Sequence, residues 1–193
     1  MWASEQIYIE NLSVGYAGIT DPNVVGIWVA LSPYNLGYGI GASSLSTVIA
    51  NFLQAGYNLI ISKSGKSLQY FVQGFDNSNQ FVDIEKSVPG GYIENVYVYL
   101  QSLDNGTALA QFYVFYTNGN SWSNSVYVNW PWSINNKAAY TVMSIVESVQ
   151  NIETGDKYEL PYISGGMIHF TFAYSVNNNY YTGPGQIAPG TTL

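Results

Sequence analysis

The chain has 193 residues, of which only 9% are charged; five lysines, no arginine and twelve carboxylates leave a net charge of -7. Phosphate backbones and anionic membranes demand clustered positive charge, so this balance argues against nucleic acid and acidic lipid surfaces as partners. At 47% hydrophobic and 16% aromatic the chain is too apolar to stay disordered, and its length suits one domain, residues 1–193, with one core.

Along the chain, alternation of apolar and polar residues is the readable period. It predicts strands at Gln6-Ile-Tyr-Ile-Glu10, Glu94-Asn-Val-Tyr-Val-Tyr-Leu100, Gln111-Phe-Tyr-Val-Phe-Tyr116, Ser125-Val-Tyr-Val-Asn-Trp130 and Met167-Ile-His-Phe-Thr-Phe-Ala-Tyr174. The segment Ser46-Thr-Val-Ile-Ala-Asn-Phe-Leu53 mixes periods, and its β-branched residues predict a further strand. Turn clusters at Asp76-Asn-Ser-Asn79, Val88-Pro-Gly-Gly91, Asp104-Asn-Gly106, Asn118-Gly-Asn120 and Ser164-Gly-Gly166 punctuate the strands, with Gly and Asn suited to positive φ. Strand and turn signals recur about every 8–12 residues, the spacing of an all-β sandwich or barrel, and a two-sheet sandwich is the expected fold. The Gly-, Pro- and Asn-rich stretch at about 175–193 is expected to be a surface loop or frayed end.

Few titratable groups mean few ion pairs to lose in acid, so the composition suits acid-tolerant work outside the cell as well as it suits a neutral structural or coat protein. There is no cysteine, hence no disulfide and no thiolate chemistry, and the single histidine, His169, lies in an alternating run that reads as a sheet-face position. No cofactor is implied, and one His with no Cys is a poor start for a metal site. No apolar stretch is long enough to span a membrane, and the start lacks a basic and apolar leader; if exported, the chain is the mature form behind an added Met. Asn11-Leu-Ser and Asn105-Gly-Thr fit the N-glycosylation triplet, which chance supplies readily in a chain so rich in Asn and Ser.

The usual nucleophile, P-loop and dinucleotide motifs are missing, and Gly37-Tyr-Gly-Ile-Gly-Ala42 lacks the strand-then-helix context that gives such glycines meaning. Chemistry, if present, falls to carboxylates and amides. Glu147 follows the β-favouring run Tyr140-Thr-Val-Met-Ser-Ile-Val146 and sits on a sheet face or at a solvated strand end. Gln54 interrupts the apolar run Asn51-Phe-Leu-Gln-Ala-Gly-Tyr-Asn58, where an interior amide must find partners or cost about 1–3 kcal/mol.

Several short motifs, in order, resemble the glutamic peptidases, or eqolisins. Ile27-Trp-Val-Ala-Leu31 is similar to that family's Trp-Val-Gly-Ile strand, Phe52-Leu-Gln-Ala-Gly-Tyr-Asn58 to its Leu-Gln-Thr-Gly-Phe-Asp, and Ser144-Ile-Val-Glu-Ser148 to its Ile-Val-Glu-Asp. Val14-Gly-Tyr-Ala-Gly18 looks like Asn-Trp-Gly-Gly, and Glu159-Leu-Pro-Tyr-Ile163 with the run to Phe172 looks like Val-Pro-Phe-Ala-Asn-Phe and its following strand. The likeness covers about Ser13 to Tyr174. It departs at Ala55, Asn58 and Ser148, and at Tyr70-Phe-Val-Gln73-Gly-Phe75, where Gln73 replaces a family carboxylate.

The resemblance implies a curved two-sheet antiparallel sandwich of jelly-roll or concanavalin-like type and a secreted, monomeric acid endopeptidase that takes a polypeptide substrate and needs no metal. It implies Gln54 and Glu147 as the catalytic pair, with Trp28, Tyr57, Tyr70 and Gln73 lining the substrate groove. Two other readings stand beside it. One is a carbohydrate-binding module stacking sugars on Trp122, Trp130 and Trp132; the other is a coat or filament subunit in which Gln54 and Glu147 need not meet.

Overall fold

Alternation gives each strand two faces, and two sheets that each carry one apolar face close on one another. That is the architecture of the computed structural model, which describes residues 2–8, 13–15, 23–36, 42–62, 65–103, 106–132, 141–148, 162–164, 170–176 and 179–182. A six-stranded sheet runs in the order β11 (Ser121–Asn129), β10 (Thr107–Tyr116), β9 (Ile93–Ser102), β1 (Trp2–Tyr8), β14 (Phe170–Val176), β15 (Asn179–Thr182). A five-stranded sheet runs β12 (Thr141–Ser148), β3 (Asn23–Ser32), β6 (Phe52–Ser62), β7 (Gly65–Asp76), β8 (Asn79–Ser87). Both are antiparallel throughout. Two small pairs, β2 (Ser13–Gly15) with β13 (Tyr162–Ser164) and β4 (Asn35–Leu36) with β5 (Ala42–Ser43), complete the described elements with the helix α1 (Leu45–Ala50). The expected all-β sandwich is therefore the fold.

The core lies between the two large sheets. Val25, Ile27, Val29 and Leu31 of β3, Leu53, Ala55, Tyr57 and Leu59 of β6, and Leu68, Tyr70 and Val72 of β7 meet Val96, Val98 and Leu100 of β9 and Ala108, Ala110, Phe112 and Val114 of β10. Every second residue is used on each strand, as the period of two requires. Tyr57 crosses this core. Its ring is wholly buried and stands edge-on to Phe112 at 5.6 Å, and its hydroxyl donates to the backbone carbonyls of Tyr113 at 3.0 Å and Tyr97 at 3.2 Å. Those two residues are register partners on β10 and β9, so one side chain of one sheet is tied to the backbone of the other.

The strands expected from alternation recur as β1, β9, β10, β11 and β14, with ends shifted by a few residues. The Asp76-Asn-Ser-Asn79 turn closes the β7–β8 hairpin with positive φ at Asn77 (50°) and Ser78 (64°), the two-residue turn whose twist suits a hairpin. One expected strand is a helix instead. Ser46–Leu53 begins within α1 because Ser44 caps it, its Oγ accepting from the Thr47 N–H at 3.2 Å, and capping outweighs the β-branched Thr47, Val48 and Ile49 over so short a stretch. The chain turns into β6 only after Asn51. The expected terminal loop also contains structure: Asn179–Thr182 forms β15, whose Asn-Tyr-Tyr-Thr has the aromatic and β-branched content of an edge strand and pairs with β14.

Burial holds the Tyr57 phenol well above its ordinary pKa. Replacing Tyr57 with Phe keeps the ring packing and removes the hydroxyl's bonds to two carbonyls that stay in their strand ladders, so urea unfolding should show a loss of about 1 kcal/mol. The phenol binds its proton more tightly folded than unfolded. Its contribution is therefore full below the ordinary tyrosine value and lost as pH rises through the raised one, so wild type should unfold on alkaline titration more steeply than Tyr57→Phe.

Candidate functional site

The face of the five-stranded sheet that points away from the core carries the candidate chemistry. Strand pairing arranges its residues in rows that cross the sheet. One row reads Met143, Ala30, Gln54, Gln73, Asp83 from β12 to β8; the next reads Ile145, Trp28, Gly56, Phe71, Glu85; the third reads Glu147, Gly26, Asn58, Gln69, Ser87. Gln54 and Glu147 thus occupy positions on one face of one sheet, with only β3 between their strands. Their rows are displaced by four residues, and the row of Trp28 lies between. Two strand spacings and four residues of rise put roughly 16 Å between the two backbones. That is near the limit that a Gln and a Glu, each reaching about 5 Å, can close through one shared water.

The contacts of Gln54 run the other way, towards β8. Its Nε2 donates to Gln73 Oε1 at 2.8 Å, and Gln73 Nε2 donates in turn to Asp83 Oδ1 at 3.1 Å and Glu85 Oε1 at 3.3 Å. Gln54 is 7% exposed, and its Oε1 is a buried acceptor with no hydrogen-bond partner among the described residues. Leaving such an atom unmet costs about 1–3 kcal/mol. Around it lies a small apolar cluster of Trp28, Ala30 and Phe71, with Phe52 and Met143 against it.

Two local features hold Gln54 in place. Asn51, three residues earlier, is buried; its Nδ2 donates to Thr47 O of α1 at 2.9 Å, its Oδ1 accepts from Asn77 N at the hairpin turn at 2.9 Å, and its carbonyl accepts from Ser32 Oγ of β3 at 2.6 Å. Gly56, the next residue on the same face, sits where a Cβ would run into the Ile27 carbonyl and Trp28 Cβ. Its missing side chain lets Trp28 lie close to β6 and stack on Phe52 at 6.2 Å.

Gln73 and Trp28 lie on the Gln54 face, but Tyr57 and Tyr70 do not, which corrects their expected place in a groove. Tyr57 differs from Gln54 by an odd number of positions on β6, and Tyr70 is its register partner on β7, so alternation turns both into the core. There Tyr70 packs on Phe112 at 4.7 Å and Trp122 at 5.5 Å and accepts from Asn124 Nδ2 at 2.8 Å. The three tryptophans considered for sugar stacking are also engaged in packing. Trp130 is buried against Trp132, which donates from Nε1 to Asp76 at 3.3 Å, and Trp122 lies on Tyr70. His169 and both glycosylation triplets fall wholly or partly outside the described residues. Sequence analysis singled out neither Asp83 nor Glu85 as a site residue. The available signal was their i, i+2 spacing in an alternating strand, which puts both on one face.

A concavity of about 230 Å³ lies away from these rows, beside Pro89, Tyr116 and Trp122. Comparison of the chain with family models, with curated proteins and with solved structures returns no match. The functional reading therefore rests on the residues and their arrangement.

Partial burial, and then the neighbouring Asp83 carboxylate, raise the Glu85 pKa above its ordinary value. The folded state therefore binds this proton more tightly than the unfolded chain. The stability that follows is full below the ordinary glutamate pKa and is lost as pH rises through the raised one. Wild type should gain thermal stability relative to Glu85→Gln as pH falls from neutral into this range, which paired melting curves at the two pH values measure.

Proposed function

We propose that the protein is an acid endopeptidase working from the outer face of the five-stranded sheet on an extended polypeptide. The observation that carries the reading is Gln54, a buried amide fixed at its nitrogen by Gln73 and left with an unmet acceptor oxygen. A water admitted to that enclosed oxygen would be oriented for attack on a peptide carbonyl, and the second hydrogen of Gln54 Nε2 would serve a developing oxyanion. Glu147, on the same face, takes the water's proton as carboxylate and returns it to the leaving nitrogen. The low charge of the chain suits an extracellular, acid setting, and the motif order around Trp28, Gln54 and Glu147 supports the same chemistry.

The hydrogen-bond chain favours one specific alternative for the base. Glu85 is joined to Gln54 through Gln73, and its raised pKa makes its carboxylate, once ionised, a stronger base than an ordinary glutamate. Single substitutions separate the two. In casein digestion in moderately acid buffer, Glu147→Gln should lose about 10²–10⁴-fold in kcat and Glu85→Gln much less. The reverse pattern assigns the base to β8. Gln54→Ala should lose about 10²–10³-fold in either case. Gln54→Leu should be equally inactive yet unfold within about 1 kcal/mol of wild type, because it removes the unmet buried acceptor along with the amide. Wild type that cleaves nothing across the acid range sinks the proposal.

A further inference from the structure

The outer face of the other sheet has a chemistry of its own. Alternation turns Ala3, Val96, Val98, Leu100, Ala108 and Phe112 into the core, and leaves the intervening residues of β1, β9, β10 and β11 facing away. One row of this face crosses the six strands as Tyr127, Leu109, Gln101 and Trp2, continuing through position 175 to Tyr180. Tyr127 is 67% exposed and Tyr180 64%. Trp2 meets Tyr180 of this row at 5.7 Å between ring centroids and Tyr99 of the neighbouring row at 5.6 Å. Tyr97 and Tyr113, two positions along, form a second pair at 5.7 Å. Between the rings stand amides and hydroxyls: Tyr99 donates to Gln101 at 3.0 Å, Gln6 to Asn95 at 3.4 Å, and Gln111 meets Ser125 at 3.5 Å. Among the described residues of this face there is no Asp, Glu, Lys or His, although the chain carries a net charge of -7.

We infer that this face binds a neutral polysaccharide chain lying across the strands. A sugar ring offers an apolar C–H face and a rim of hydroxyls, each both donor and acceptor. Tyr and Trp rings take the first, and Gln and Ser side chains, which also donate and accept, take the second. The aromatic row spans five strand spacings, roughly 24 Å, enough for several sugar units. The missing charge selects the partner: an acidic or basic polymer finds nothing to pair with, and a second copy of the chain is repelled by the carboxylates that each copy carries elsewhere. The inference is independent of the peptidase proposal and involves the opposite sheet.

Affinity electrophoresis through native gels containing mixed-linkage β-glucan or glucomannan tests it, with carboxymethylcellulose as the charged counterpart. Retardation is expected in the neutral gels, weakened about tenfold or more by Tyr180→Ala and by Tyr127→Ala and kept by Tyr180→Phe, which retains the ring. Both alanine positions are exposed, so the variants should melt with wild type and digest casein as wild type does. Three outcomes overturn the inference: no retardation in either neutral gel, retardation that ignores both alanine substitutions, or a wild-type dimer by sedimentation that those substitutions split, which gives the face to a second copy.

Discussion

Two sheets that enclose one core must turn alternate residues of every strand into it, and in this protein that constraint sorts every side chain of interest. On β6 it sends Leu53, Ala55, Tyr57 and Leu59 inward and leaves Gln54, Gly56 and Asn58 outside. On β9 it sends Val96, Val98 and Leu100 inward and leaves Tyr97, Tyr99 and Gln101 on the far surface. A shift of one residue in any pairing would exchange these sets, burying amides and exposing aliphatics, so the apolar pattern pins the register. The Tyr57 hydroxyl reinforces it, because it reaches its two carbonyls only when the sheets face each other in this alignment.

The protein has two outer surfaces of different character. The five-stranded sheet carries a neutral amide network that ends on two carboxylates at its β8 edge, above a buried apolar patch. The six-stranded sheet carries rings, amides and hydroxyls. Both follow from a composition that draws its polarity from Asn, Gln, Ser and Tyr rather than from ion pairs; the hydrogen bonds of the six-stranded face involve no carboxylate, while those of the other face end on two.

Much of the fold was legible in the sequence because alternation is a local property: Val96-Tyr-Val-Tyr-Leu100 reads as a strand without knowledge of its neighbours. The α1 helix was not, since a single capping hydroxyl at Ser44 outweighed residues that favour strands. Nor was β15, whose four residues are a strand only through pairing with β14. The site was legible in part. Gln54 is flagged as an amide within an apolar run and Gln73 only through the resemblance, but that they are partners, and that Met143 rather than Glu147 shares their row, depends on pairings between segments far apart in the chain. The assignment of Tyr57 and Tyr70 to a groove failed on a simpler count, since the odd spacing from Gln54 to Tyr57 already turns that ring to the opposite face.

The chain from Gln54 through Gln73 to Asp83 and Glu85 also has a direction. Ionised carboxylates only accept hydrogen bonds, so Gln73 must offer them its nitrogen and turn its oxygen back towards β6. Gln54 must meet that oxygen with its own nitrogen, and its carbonyl is left pointing the other way. The polarity of an amide on β6 is thus dictated two strands away: the edge of the sheet orients its centre, and the unmet oxygen of Gln54 is the free end of an arrow whose head lies on β8.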